Sequence, residues 1–153
     1  PKGSLYYYFP GGKEELTAEA LSRVGQMVLE RIRYNLGLAD DPAEAVRAFI
    51  ERIAQQVEAS GYRAGGPITT VALETASSND RLREVCQQIY TSWQLAFVEK
   101  LARGGVEPER AERLATLIIA AIEGGIILCR TRRSPQPLLA VSEEIGRLVA
   151  HSQ

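Results

Sequence analysis

From about residue 13 onward, apolar side chains return every third or fourth position and are interrupted mainly by glycine and proline. The clearest run is Val46, Phe49, Ile50, Ile53, Ala54 and Val57, which follows i, i+3, i+4, i+7, i+8, i+11. Residues of an α-helix advance about 100° each, so this spacing stacks the side chains on one face. A half-buried strand needs alternation, and no alternating stretch competes with the helical period. No repeat of fixed length is visible either. The expectation is an all-α fold, a bundle of striped helices that bury their stripes against one another.

Helix breakers and caps divide the bundle. A long helix runs from Lys13 to about Leu36, with Leu16, Ala20, Val24, Met27, Val28 and Ile32 as its stripe. Gly37 and Asp40-Asp41-Pro42 end it, with Asp41 placed to cap the next helix and Pro42 at its first position. The loop Gly61–Pro67 leads to a short helix over about Ile68 to Ser77. Asn79 or Asp80 caps a helix to about Arg103, striped by Leu82, Cys86, Ile89, Trp93, Phe97 and Leu101, and Gly104-Gly105 stops it. Ser134 and Pro135 open the last helix, whose stripe is Leu138, Val141, Ile145, Leu148 and Val149.

The stretch from Pro108 to Arg132 differs from the others. Its polar residues Glu112, Thr116, Glu123 and Arg130 fall in a narrow sector, and apolar residues fill nearly the whole remaining circumference. One flank holds Ala115, Ile118, Ile119, Ile122, Ile126 and Cys129; the other holds Leu114, Leu117, Ala121, Gly125 and Leu128. Such a helix needs two apolar partners, and a homodimer through the last two helices would supply the second as an isologous four-helix interface. Gly124 and Gly125 each cost about 1 kcal/mol relative to Ala. The return is either the close approach of a neighbouring helix or room for a ligand.

Several functions are disfavoured. A formal charge of −1 argues against coating nucleic acid with the whole surface, so any such contact must be local. Neither end carries the apolar block of a signal peptide or membrane span, which points to a cytoplasmic chain with no membrane partner. Cys86 and Cys129 have no metal or redox spacing and read as reduced, buried thiols. His151, the single histidine, sits beside the C-terminus, and no HExxH, GxSxG or P-loop pattern occurs, so neither catalysis, a metal nor a cofactor is expected.

The opening stretch PKGSLYYYFPGGKEEL carries the chemistry. Residues 3 to 9 make at most two helical turns before Pro10 and Gly11-Gly12 stop them. Leu5 and Phe9 share one side, with Tyr8 flanking, and Tyr6 and Tyr7 turn to the other. A short helix that presents tyrosines and a lysine suits a DNA groove, because hydroxyls and backbone N–H groups bond phosphates and lysine releases counterions. Its inward residues have nothing upstream to pack on, and no initiator Met precedes them, so the chain is expected to have lost its beginning.

KGSLYYYF, then proline, a glycine-rich turn and KEEL, resembles the junction of recognition helix and following helix in the TetR family of transcriptional repressors. The resemblance implies that residues 1–36 are the end of a helix-turn-helix head and its connecting helix, with two head helices absent. Residues 37–153 would then be the effector-binding and dimerisation domain. Lys2 and Gly3 would lie near base edges, Ser4 and Tyr6 would face the major groove, and Tyr7, Tyr8 and Lys13 would reach phosphate. Two departures stand out: Tyr8 replaces the histidine common there, and the PGGK turn is one residue longer than usual.

The implied function is a repressor, complete in its full-length form, released from a double-stranded DNA operator by a small hydrophobic or aromatic effector. Phe49, Ile53, Val71, Thr75, Ile89, Trp93, Ile118 and Ile122 are the candidate pocket wall, with Trp93, Tyr90 and Phe97 suited to an aromatic guest. The rival reading is a dimeric helical small-molecule carrier that never touches DNA. A gel shift of the longer protein on its own promoter region separates the two. Tyr6→Phe and Lys2→Ala should weaken binding, Lys2→Ala with a salt slope shallower by about one. Absence of binding at low salt with the fold intact would rule out the repressor.

Overall fold

The computed structural model describes residues 12–153, which form six α-helices and no strand. They are α1 (Lys13–Leu36), α2 (Pro42–Ala59), α3 (Thr69–Thr75), α4 (Asp80–Arg103), α5 (Pro108–Arg132) and α6 (Gln136–Ala150). The all-α expectation holds, and so do most boundaries, because the caps act as their chemistry requires. Asp41 accepts from the Glu44 amide at 2.9 Å, and Asn79 accepts from the Leu82 amide at 3.0 Å. Two ends moved inward. The short helix is confined to Thr69–Thr75, and α6 begins at Gln136, whose amide donates to Ser134 Oγ at 3.2 Å.

The helices pack as a chain of neighbours: α1 lies on α4, α4 on α5, α5 on α6, and α6 on α2, which also meets α1 and α5. One continuous core results, centred on Phe97, Ile50, Ile118, Leu101, Leu138 and Val46, with Cys86 and Cys129 buried in it as free thiols. Helix α5 is the one helix among the described residues long and apolar enough to cross a membrane. Its inner face is instead taken up by α2, α4 and α6.

Two close approaches set the geometry, and both run through glycine. A Cβ at Gly25 of α1 would sit 2.7 Å from Ile89 of α4, and one at Gly125 of α5 would sit 2.5 Å from Leu138 of α6. Overpacking of this kind costs about 1–3 kcal/mol, which offsets the roughly 1 kcal/mol that glycine forfeits in a helix. Adjacent Gly124 has nothing within 4 Å of such a Cβ. At the α1–α4 crossing, the Trp93 indole N–H donates to the Gly25 carbonyl at 3.0 Å inside the core.

The stripe of α1 is rotated by about one residue from the expected one. Ala18, Leu21, Gly25, Leu29, Ile32 and Leu36 are buried, whereas Met27 is 60% exposed and Leu16 41%. The contact at Gly25 decides this rotation, and a hydrophobicity pattern does not register glycine as a contact. The polar sector of α5, largely exposed, bonds to neighbouring elements. Thr116 accepts from Gln94 of α4, Glu123 meets Thr69, and Arg130 reaches the loop after α2. The two apolar flanks of α5 are also divided differently: Leu114 and Gly125 are buried, while Leu117 and Leu128 are exposed.

Candidate functional site

Between α1, α2, α4 and α5 lies a cavity of about 250 Å³, closed at one side by residues 64–67. Its apolar wall comes from Val28 and Ile32 of α1, Phe49, Ile53 and Val57 of α2, Trp93 and Phe97 of α4, and Ile119, Ile122 and Ile126 of α5. Phe49 and Phe97 meet edge to face with centroids 5.6 Å apart, and Trp93 meets Tyr90 likewise at 5.3 Å. Edge-to-face pairs are a favoured aromatic arrangement, so these rings are fixed before any guest arrives. The polar atoms are few: Arg31, Asn35, Arg52, Gln56 and Glu123. A mostly apolar concavity with a few placed polar groups is the usual form of a small-molecule site.

The cap is built from residues that need unusual backbone. Gly61, Tyr62, Gly65 and Gly66 all have positive φ. Gly65 lies so close to α5 that a Cβ would come within 2.9 Å of Ile126. Arg130 of α5 holds the loop by its backbone, donating from Nε to the Tyr62 carbonyl at 3.2 Å and from Nη1 to the Gly65 carbonyl at 3.3 Å.

On the wall beneath the cap, the Thr69 hydroxyl donates to the Glu123 carboxylate. Burial pushes the Glu123 carboxyl above its ordinary range, and the Thr69 bond opposes that in part. The Tyr90 phenol is likewise raised, first by burial and then by Glu123.

Four of the expected wall residues, Phe49, Ile53, Trp93 and Ile122, line this cavity. Val71, Thr75, Ile89 and Ile118 do not. Ile89 is spent on Gly25, Ile118 is fully buried in the core, and Thr75 donates to the Val71 carbonyl within α3, which packs on α4. The sequence reading missed Arg52 and Glu123. The signal was present for Arg52, which follows Phe49 by three residues and therefore shares its side of the helix. Of the residues expected at DNA, Lys2, Gly3, Ser4, Tyr6, Tyr7 and Tyr8 lie outside the described residues. Lys13 is exposed at the first position of α1. Close by, Glu14 accepts from Asn79 at 3.3 Å and Glu15 pairs with Arg81 at 3.0 Å, joining the start of α1 to the start of α4.

An all-helical domain with a mostly apolar, partly open chamber, one wall of which is a long helix leading back to a basic, tyrosine-rich segment, fits the sensing domain that the sequence resemblance implies. Comparison with known proteins agrees. Residues 42–144 match the family described as transcriptional regulator LmrA/YxaF-like, C-terminal domain. The HTH-type transcriptional regulator YxaF of Bacillus subtilis is 42% identical over 97% of this chain and 78% of its own length. The regulator LmrA of the same organism is 38% identical over 97% and 79%. Among solved structures, a TetR transcriptional regulator from Chloroflexus aurantiacus superposes with a TM-score of 0.77 at 28% identity, covering 95% of this chain and 76% of that one. A TetR-family regulator from Cytophaga hutchinsonii shares the fold, with a TM-score of 0.76 at 21% identity over 99% of this chain and 78% of its own. The chain belongs to the TetR family of transcriptional regulators, in its LmrA/YxaF-like branch.

The partly buried Glu123 gives the site a pH signature. Because the folded chain raises this carboxyl's pKa above its unfolded value, ionisation opposes the fold. Its contribution to stability is complete below the ordinary carboxylate range and is lost as pH rises through the folded pKa. Glu123→Gln keeps an acceptor for Thr69 and removes the titration. The variant should melt at a higher temperature than the parent near pH 7, with the gap closing towards about pH 4. Thermal melts followed by circular dichroism at both values check this.

Proposed function

We propose that this chain is the sensing and pairing part of a cytoplasmic repressor that a small, mostly apolar effector releases from its operator. Residues 1–36 would be the end of the DNA-binding head with its connecting helix, and residues 37–153 the effector-binding and dimerisation domain. The observation that carries the reading is the position of α1. Val28 and Ile32 form part of the chamber wall, while the N-terminal end of the same helix follows the segment that resembles a recognition helix. A guest that pushes on the wall therefore acts on the helix that aims the head. Trp93 lines the chamber and is bonded to Gly25 of α1, so the guest touches the α1–α4 crossing directly.

Release requires only that the effector bind the non-operator conformation more tightly, by the 1–3 kcal/mol typical of such coupling. Tyr6, Tyr7, Tyr8, Ser4, Gly3, Lys2 and Lys13 would make the DNA contacts. The pairing surface would be the outer side of α5 with α6. Leu117, Ile127 and Leu128 are 44%, 50% and 44% exposed there, and Gly124 leaves room for a facing helix. That is the second partner the doubly apolar helix needs.

Screening mono- and bicyclic aromatic compounds by thermal shift tests the sensing role, since a ligand at about 100 times its Kd adds about 2.7 kcal/mol of stability. Compounds that stabilise the chain should lower operator occupancy of the longer protein in a gel shift. Ile122→Trp, which fills the chamber, should abolish both responses and leave operator binding intact. Binders that leave occupancy unchanged would refute the release mechanism. For the pairing surface, sedimentation at micromolar concentration should give a dimer mass, and Leu117→Glu with Leu128→Glu a monomer. A monomeric parent chain would contradict it.

A further inference from the structure

The chamber lining holds an unsatisfied donor. Arg52 is on its lining, and the guanidinium Nη1 is shut off from solvent with no hydrogen-bond partner among the described residues. A buried donor without a partner is costly, and more so when it belongs to a charged group.

The obvious internal counterion is Glu123, the one carboxylate on the lining. It makes no ion pair with Arg52 among the described residues, and it already accepts from Thr69. Burial also favours its neutral form. The second charged group of the same sign, Arg31, lines the chamber too. A water molecule would satisfy the hydrogen bond but leave the charge, whereas a planar carboxylate meets both needs through the guanidinium's paired N–H groups. A cationic guest would face two arginines with only Glu123 in its favour.

Size limits the rest of the guest. A cavity of about 150 Å³ takes benzene, and this one is about 250 Å³, which fits a substituted ring or two fused rings. We infer that the chamber takes an aromatic monocarboxylic acid, its rings against Phe49, Trp93 and Phe97 and its carboxylate on Arg52. The inference rests on the reading of the chamber as the effector site.

The test uses the chain itself, with 2-naphthoate, its neutral counterpart 2-naphthamide and the cation 2-naphthylmethylammonium as probes. Binding is followed by calorimetry and by quenching of Trp93, the single tryptophan. Naphthoate should bind at least about tenfold more tightly than the amide, as expected when a charge-assisted pair replaces a neutral one, and the cation more weakly than either. Arg52→Met should erase the preference for the acid while raising the melting temperature of the free chain, because a buried donor without a partner is removed. Arg52→Lys, which keeps the charge and loses the fork, should retain part of the preference. Ile122→Trp should abolish binding of all probes.

Equal affinity for acid and amide, or a preference for the acid that survives Arg52→Met, would overturn the inference while leaving the chamber reading intact. A preference for the cation would overturn it in favour of Glu123 as the polar anchor. Failure of every probe to bind would remove both the inference and the chamber reading.

Discussion

The architecture depends on the crossing of α1 and α4 at Gly25. Ile89 occupies the space a side chain at that position would take, and one turn further along α4 the Trp93 indole bonds to the Gly25 carbonyl. Any residue larger than glycine pushes the helices apart and pulls that bond open. With the crossing fixed, α4 presents Trp93 and Phe97 to one side of α1, and the chamber is the space left between them, α2 and α5. The cavity is therefore a product of close packing elsewhere, in an interior where voids are otherwise few.

The helices were legible because their signals are local. Asp41 and Asn79 cap, prolines open α2 and α5, and glycines close α1 and α4. The residues that face the chamber were legible only in part, because a helical period fixes a face to within about one residue, or 100°. Ile118 and Ile119 differ by that step: one is fully buried in the core and the other lines the cavity. Ile89 and Trp93 share a face and both meet Gly25, yet Ile89 fills the crossing while Trp93 also lines the cavity. Glu123 showed only as one member of a narrow polar sector, because its partner, Thr69, lies 54 positions away. Non-local pairs of this kind leave no trace in periodicity.

Helix α5 reconciles two demands that conflict in a single helix. Its inner side packs on three neighbours and supplies chamber wall, while Leu117, Ile127 and Leu128 stay at the surface. The residues that would normally solubilise such a helix are withdrawn into contacts with Gln94, Thr69 and the loop carbonyls. That use of polar groups fixes the rotation of α5 about its own axis. Between residues 116 and 128 the exposed positions carry no charge.

The cap over the chamber is fastened in an uncommon way. Arg130 grips the carbonyls of Tyr62 and Gly65 rather than any side chain, and the loop's shape is set by backbone torsions at its glycines. A cover held by its main chain tolerates a change of side chain at Ala64, which borders the cavity, whereas Pro67 beside it fixes the backbone through its ring. A change of side chain at Ala64 can therefore alter that border of the cavity while the fastening, and the fold beneath it, stay as they are.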